Sequence, residues 1–307
     1  MKLKQITVFL IAASIGCLAL RGARPINVML LDGESAGAYH DWKRVTPVLK
    51  KELEETGLFQ VDVVTAPLST SGELSRFKPE FNKYQVVVLN YDAPDWPADL
   101  KDSFERYLQN GGGLVSVHAA DNAFPAWKEF NRMTGVGGWR DRNQGAGPRW
   151  FYQDGKLVSD TTAGPAGSHG ARLPFQVTAR EPEHPILKGL PRVWMHQGDE
   201  LYATLRGPGE NMHVLATAYS NPANKGTGHD EPMLMTLNYG KGRVFHTTMG
   251  HDVSALSCVG FIVTFQRGTE WAATGNVTQK APDGFPTAST VSYRPDIAAM
   301  NATAPDM

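Results

Sequence analysis

Residues 113–121 read Gly-Leu-Val-Ser-Val-His-Ala-Ala-Asp, and their reading decides the fold. A glycine triplet, Gly111 to Gly113, stops a helix. A short apolar run, Leu114 to Val117, follows and ends abruptly on His118 and then Asp121. A buried strand that delivers a polar residue at its carboxyl end is where open parallel sheets place their chemistry.

The flanking sequence repeats the pattern. Pro25 to Leu31 is a near-continuous apolar run, as in strands buried on both faces, and it ends at Asp32-Gly33. Trp42, Val45, Val48, Leu49, Leu53 and Thr56 recur at helical spacing, and Gly57 closes that helix. Pro47 leaves two starts open: a Thr46 cap with Pro47 in first position, or a start near Asp41 with a bend. Gln60 to Thr65 and Tyr84 to Leu89 give two more strands, the latter ending at Asn90. Between it and the opening stretch lies a helix with an apolar face of Leu100, Phe104, Tyr107 and Leu108, with Asp95 as its expected cap. Another helix is expected over about residues 125–133. Strand alternating with helix predicts an α/β fold, a flavodoxin-like parallel sheet with helices on both faces. The strand ends at Asp32, Asn90 and His118 then share one edge.

Residues 135–182 break the alternation. They are rich in Gly, Arg and Trp and hold a single β-like run, Leu173 to Thr178. The aromatics between Trp139 and Tyr152 argue against a merely solvated loop, so a β-rich insertion over the strand ends, about residues 135–200, is expected. His213 to Ala218, Met233 to Asn238 and Gly242 to Met249 read as strands, the last two joined by a hairpin turn at Tyr239-Gly240-Lys241-Gly242. A final helix runs from Ser254 to about Ala273.

The chain has 307 residues, 41% hydrophobic and 20% charged, enough for a large core. A net charge of −1 signals no basic surface, so nucleic acid is not an expected partner. Lys2 and Lys4 precede an uncharged, mostly apolar stretch, Ile6 to Leu20, short for a membrane span but suited to a signal peptide over residues 1–23. Export to the periplasm or beyond is therefore expected. Lipidation at Cys17 is the lesser alternative, an uncleaved amino-terminal anchor is a third, and such an anchor is the only expected link to a membrane. After processing, Cys258 remains as an isolated, buried thiol. Residues 25–275 read as one domain. Residues 276–307, rich in Pro, Ala, Thr and Asp and without periodicity, read as a flexible tail.

Three histidines fall at or just after strand ends: His40, His118 and His251. With a carboxylate they would suit zinc or a similar divalent ion, though no HExxH-like spacing marks them and structural hydrogen bonding is the competing reading. Asp199-Glu200 could supply a general base or a metal ligand, or could open a helix. His118, Asp199 and Glu200 are the catalytic candidates. Trp139, Arg140, Asp121, His169 and His196 are the candidates for contact with substrate. Asp121 has the further readings of orienting His118 or capping the next turn. Trp42 and Trp150 could also stack on a sugar, with core packing the favoured role for Trp42. Phosphate-loop, dinucleotide and GxSxG patterns are missing from the sequence.

Several segments together resemble the ThuA-like (trehalose-utilisation) family. They are His40-Asp-Trp42, Gly111 to Ala120, His184 to Pro191, Asp199-Glu-Leu-Tyr202, Val214 to Thr217, Tyr239 to Phe245 with Gly250-His251, and Gly268-Thr-Glu-Trp271. They span nearly all of residues 26–275. The resemblance implies a fold like class I glutamine amidotransferases, where a nucleophilic cysteine follows the strand matching Leu114 to Val117. His118 stands in that place here, so amidotransfer is not expected. The resemblance further implies a carbohydrate-related protein acting on a disaccharide or keto-glycoside, as a metal-assisted hydrolase or lyase if it is an enzyme. The alternative is a non-catalytic sugar-binding or scaffold protein on the same fold.

Overall fold

A computed structural model describes residues 24–35 and 39–301. Strands β1 (Ile26–Asp32), β2 (Phe59–Thr65), β3 (Val86–Leu89) and β4 (Gly113–Val117) alternate with helices α1 (Trp42–Glu54) and α2 (Ala98–Gln109). Helix α3 (Lys128–Thr134) follows β4. The later elements are β5 (Arg149–Gln153), β6 (Lys156–Asp160), β7 (Leu173–Ala179), β8 (Val193–Asp199), β9 (His213–Tyr219), β10 (Asp230–Tyr239) and β11 (Gly242–Thr247). Helices α4 (Val253–Leu256), α5 (Val259–Thr274) and α6 (Pro295–Ala298) end the described chain.

One sheet runs through the molecule in the order β2-β1-β3-β4-β11-β10-β9-β7-β8. Its first five strands are parallel and form the expected α/β core. Side chains alternate across each strand, so one face of the sheet receives Val28, Leu30, Val86, Val88, Val115 and Val117 against α1 and α5. The other face receives Met29, Leu31, Val87, Leu89 and Leu114 against the aromatic-rich α2 and α3. Gly268 on α5 lets the helix close on β11, because a Cβ there would sit 2.1 Å from the Phe245 ring. The tight turn between Tyr239 and Gly242, with Gly240 at φ 58°, reverses the chain and makes β10 antiparallel to β11. From there the sheet continues antiparallel through β9, β7 and β8.

Three expectations are corrected. Only part of the 135–200 insertion lies over the strand ends; β7 and β8 extend the central sheet, and the β5–β6 hairpin joins it through β10. Asp95 bonds Lys101 at 2.8 Å instead of capping α2, whereas α1 takes the second of its two expected starts, at Trp42 under an Asp41 cap with Pro47 inside. Residues past Gly275, expected to be flexible, are seated as far as Asn301. Met195 N donates to Thr287 O at 2.8 Å, Val259 N to Ser292 O at 2.9 Å, and Ile297 is fully buried. Four scattered apolar anchors, Val277, Phe285, Ile297 and Met300, seat that segment on the core, and at such spacing they leave no periodic signal. The expected signal peptide and Cys17 lie outside the described residues. Among the described residues no helix is long and apolar enough to cross a membrane.

Candidate metal centre

The carboxyl ends of the parallel strands converge as expected, but with divided roles. Asp32 and Asn90 form a buried brace through Thr46, whose hydroxyl donates to Asp32 at 2.8 Å and accepts from Asn90 at 3.0 Å. His118 faces the site. It follows β4 directly and takes φ 47°, a left-handed conformation uncommon for a residue with a Cβ. Such strain collects where a side chain must be aimed.

His40, His118, Glu200 and His251 each offer a ligand atom within 4.8 Å of the others. The three imidazole rings lie edge to face, with centroids 5.0 to 5.4 Å apart. His118 Nδ1 donates to Thr248 O at 2.7 Å, which fixes the ring and turns Nε2 toward Glu200, where it can ligate a metal once deprotonated. His40 Nε2 lies 3.4 Å from the Tyr202 hydroxyl. On the inner side, His40 Nδ1, His118 Nε2 and His251 Nδ1 are all buried without a hydrogen bond. Glu200 Oε2 lies 3.5 Å from His118 Nε2 and 3.1 Å from His251 Nδ1. Its Oε1 faces His169 Nε2 at 3.6 Å.

Electrostatics divide the ring. Burial, with His118 and His251 nearby, pushes His40 down to about 3, so it is neutral at ordinary pH. Burial also opposes a charge on His118, but Glu200 and Asp199 outweigh it and raise its pKa. Burial works against the charged form of Glu200 too, yet His118 and His251 hold that carboxyl well below the usual range. Three imidazoles with one free nitrogen each, beside an ionised carboxylate, make a donor set that fits zinc or a similar divalent ion. The Thr248 carbonyl behind His118 is the usual outer partner of a ligating histidine.

Asp199, expected to be catalytic, does something else. It is fully buried. Its Oδ1 accepts from the main chain of Glu200 (2.8 Å) and His251 (3.2 Å), and its Oδ2 from Gly250 N (2.8 Å) and His196 Nε2 (2.9 Å). With both oxygens saturated inside the core, it positions Glu200 and His251 and touches no open space. His196 is corrected likewise: it is buried behind Asp199 and cannot meet substrate. Asp121 is also buried, and its carboxylate faces His246 Nε2 at 3.1 Å while His246 Nδ1 donates to Thr134 O. That pair ties the turn after β4 to α3. His246 drew no notice in the sequence, because a histidine inside an apolar strand carries no sign of its partner.

Trp139 and His169 do reach the site from the insertion. Tyr202 lies between Trp139 (ring centroids 4.5 Å apart, tilted 53°) and His118 (4.2 Å, tilted 33°), and His169 lies 6.1 Å from Trp139. Arg140 turns away from the histidines and bonds Asp92 at 2.7 Å. Trp150 is held by Gly207 O, and the Trp42 ring lies under Lys43 at the start of α1. Tyr202, unnoticed in the sequence except as part of a motif, is the central aromatic of the site. Its hydroxyl is kept protonated by burial, with the nearby Asp121 and Glu200 acting in the same direction.

A flavodoxin-like core with a histidine in the strand-end turn, ringed by two more histidines and a glutamate, defines an α/β protein with a candidate metal centre and no cysteine nucleophile at that turn. The chain belongs to the ThuA family, described as trehalose utilisation, which matches residues 27–272. A ThuA-like protein of known structure from Parabacteroides merdae is 46% identical over 89% of this chain and 99% of its own, with a TM-score of 0.85. Another, from Bacteroides uniformis, is 19% identical over 87% of this chain and 99% of its own, with a TM-score of 0.55. No curated protein matches the sequence. Membership makes this a carbohydrate-related protein.

Proposed function

We propose that the chain is an exported enzyme that opens a keto-glycoside, by hydrolysis or elimination, with the help of a divalent metal. The observation that carries this reading is the convergence of His40, His118, His251 and Glu200, whose ligand atoms all lie within 4.8 Å of one another at a largely buried site. His40, His118, His251 and Glu200 would hold the ion, which when bound would supply Lewis-acid polarisation of a substrate oxygen. His169 stands at the mouth with about a third of its side chain exposed. Its Nδ1 donates to Gly170 O at 2.8 Å, so its Nε2 can accept a proton. That nitrogen would take the acidic proton beside the keto group and return it to the leaving oxygen, while the Glu200 carboxylate 3.6 Å away would stabilise the imidazolium formed in between. Trp139 and Tyr202 offer an aromatic wall for a sugar face. The expectation of export rests on the charge and apolar pattern of residues 2–21.

The test is metal analysis of the purified protein, followed by a turnover assay on trehalose and 3-ketotrehalose. Zinc or a similar ion at about one per chain, with turnover of the keto sugar lost in a folded His118→Ala variant, is the expected result. Saturable sugar binding without metal or turnover would instead favour a binding protein on the same fold.

A further inference from the structure

A cavity of about 570 Å³, within the size range of small-molecule sites, lies against the same loop that carries Trp139. The histidine cluster does not line it. Lys128 and Asn131 of α3 and Arg140, Asp141 and Arg142 of the loop do. Trp139, Arg140 and Asp141 have φ of 51°, 46° and 61°, three successive left-handed residues with side chains. Each costs on the order of 1–2 kcal/mol. The Arg142 guanidinium holds the loop in that shape by donating to the carbonyls of Asn122 (2.7 Å), Gly138 (2.8 Å) and Ala123 (2.6 Å). The turn sends Trp139 toward Tyr202 and the histidines, and sends Arg140 and Asp141 to the cavity.

The positive charge left for a ligand is chiefly that of Lys128, since Arg132 pairs with both Glu129 and Glu210 and Arg140 with Asp92. Glu210, on its rim, is committed to Arg132 at 3.0 Å. Arg140 spends its Nε and Nη2 on Asp92, and among the described residues its Nη1 has no hydrogen bond. Arg142 is 5% exposed, has no carboxylate partner within hydrogen-bond reach among the described residues, and keeps a buried Nε unpaired there. Lys128 meets no carboxylate among the described residues. The Asp141 carboxylate can only accept, which suits hydroxyl groups rather than an anion.

We propose that this cavity is a subsite for a uronic acid unit, with Lys128 and Arg140 holding the sugar carboxylate and Asp141 accepting its hydroxyls. The sugar half of the proposal rests on the carbohydrate reading above; the preference for a carboxylate does not. Calorimetric titration of the full chain at low salt with glucuronate, glucose and acetate tests it. Saturable glucuronate binding, at least about tenfold tighter than glucose or acetate and weakened about tenfold by Lys128→Ala, is expected for a charge-assisted contact. Lys128 is exposed, so its removal leaves the fold intact; Arg140→Gln, checked by melting temperature because it also frees Asp92, should weaken binding likewise. His118→Ala should leave it unchanged. Failure to bind glucuronate, equal binding of glucose, or indifference to both substitutions overturns the proposal. Acetate binding as tightly as glucuronate overturns the uronate assignment. Loss of glucuronate binding in His118→Ala would move the ligand to the histidine cluster, rejecting this subsite while leaving the proposed function standing.

Discussion

Asp199 accepts the main-chain N–H of His251 at 3.2 Å, so the carboxylate at the end of one strand fixes the imidazole that follows another. The same carboxylate holds the amides of Glu200 and Gly250 and the ring of His196. Four donors around one buried anion leave no acceptor to replace it. Asp199→Ala should therefore destabilise the protein by ~3–5 kcal/mol, the usual cost of removing one partner from a buried ion pair. Asp199→Asn should cost less, since its remaining oxygen can still accept. A chemical-denaturation series on the two variants checks this. An Asp199→Ala protein with unchanged stability would return the residue to the catalytic candidates.

Why Asp199 and Glu200 were not separable in the sequence follows from strand geometry. Successive side chains of a strand point to opposite faces, so adjacent acids at a strand end have different fates. The strand itself, Val193–Asp199, was not legible, because Trp-Met-His-Gln-Gly shows neither alternation nor an apolar run. The parallel core was legible because strands buried on both faces are almost entirely apolar, and His118 was legible because it breaks such a run. His40 and His251 followed from the same edge. The exclusion of Asp121 and His196 from the site depends on partners 125 and 3 residues away that no local pattern marks.

Trp139 faces Tyr202 with ring centroids 4.5 Å apart, beside the His118 ring. If that wall receives a sugar face, Trp139→Ala should weaken binding by ~0.5–1.5 kcal/mol, the range for aromatic contacts. KM should then rise several-fold while kcat falls less. Steady-state kinetics on the keto sugar separates the two; a fall in kcat alone would place the ring in the chemistry rather than in binding.

Ile297 is fully buried and belongs to the same apolar cluster as α1 and α5. A loosely attached tail would tolerate its truncation. Seated as it is, Ile297→Ala should lower stability by ~2–4 kcal/mol through lost burial and the cavity left behind. Thermal unfolding of that variant beside Ala298→Gly, a milder change in the same short helix, shows whether the effect comes from packing.

Glu231 on β10 is 1% exposed and accepts the Thr227 hydroxyl at 2.6 Å. Burial raises its pKa from 4.5 to about 7, a rise that the Thr227 bond and the more distant Arg149 only moderate. A carboxyl whose pKa is higher in the folded state binds its proton more tightly there. Its contribution to stability is therefore fully present below the unfolded value near 4.5 and is lost as pH rises through about 7. The protein should be less stable at pH 8 than at pH 5 by ~2–3 kcal/mol from this group alone, since each tenfold difference in proton affinity between the folded and unfolded chain is worth about 1.4 kcal/mol. Glu231→Gln keeps an acceptor for Thr227 and cannot ionise, so the slope over that window should flatten and the variant should be the more stable protein at pH 8. Urea unfolding at both pH values measures each effect. A slope that is the same in the two proteins would mean that the carboxylate finds compensation in the folded state, with Arg149 the nearest source of it.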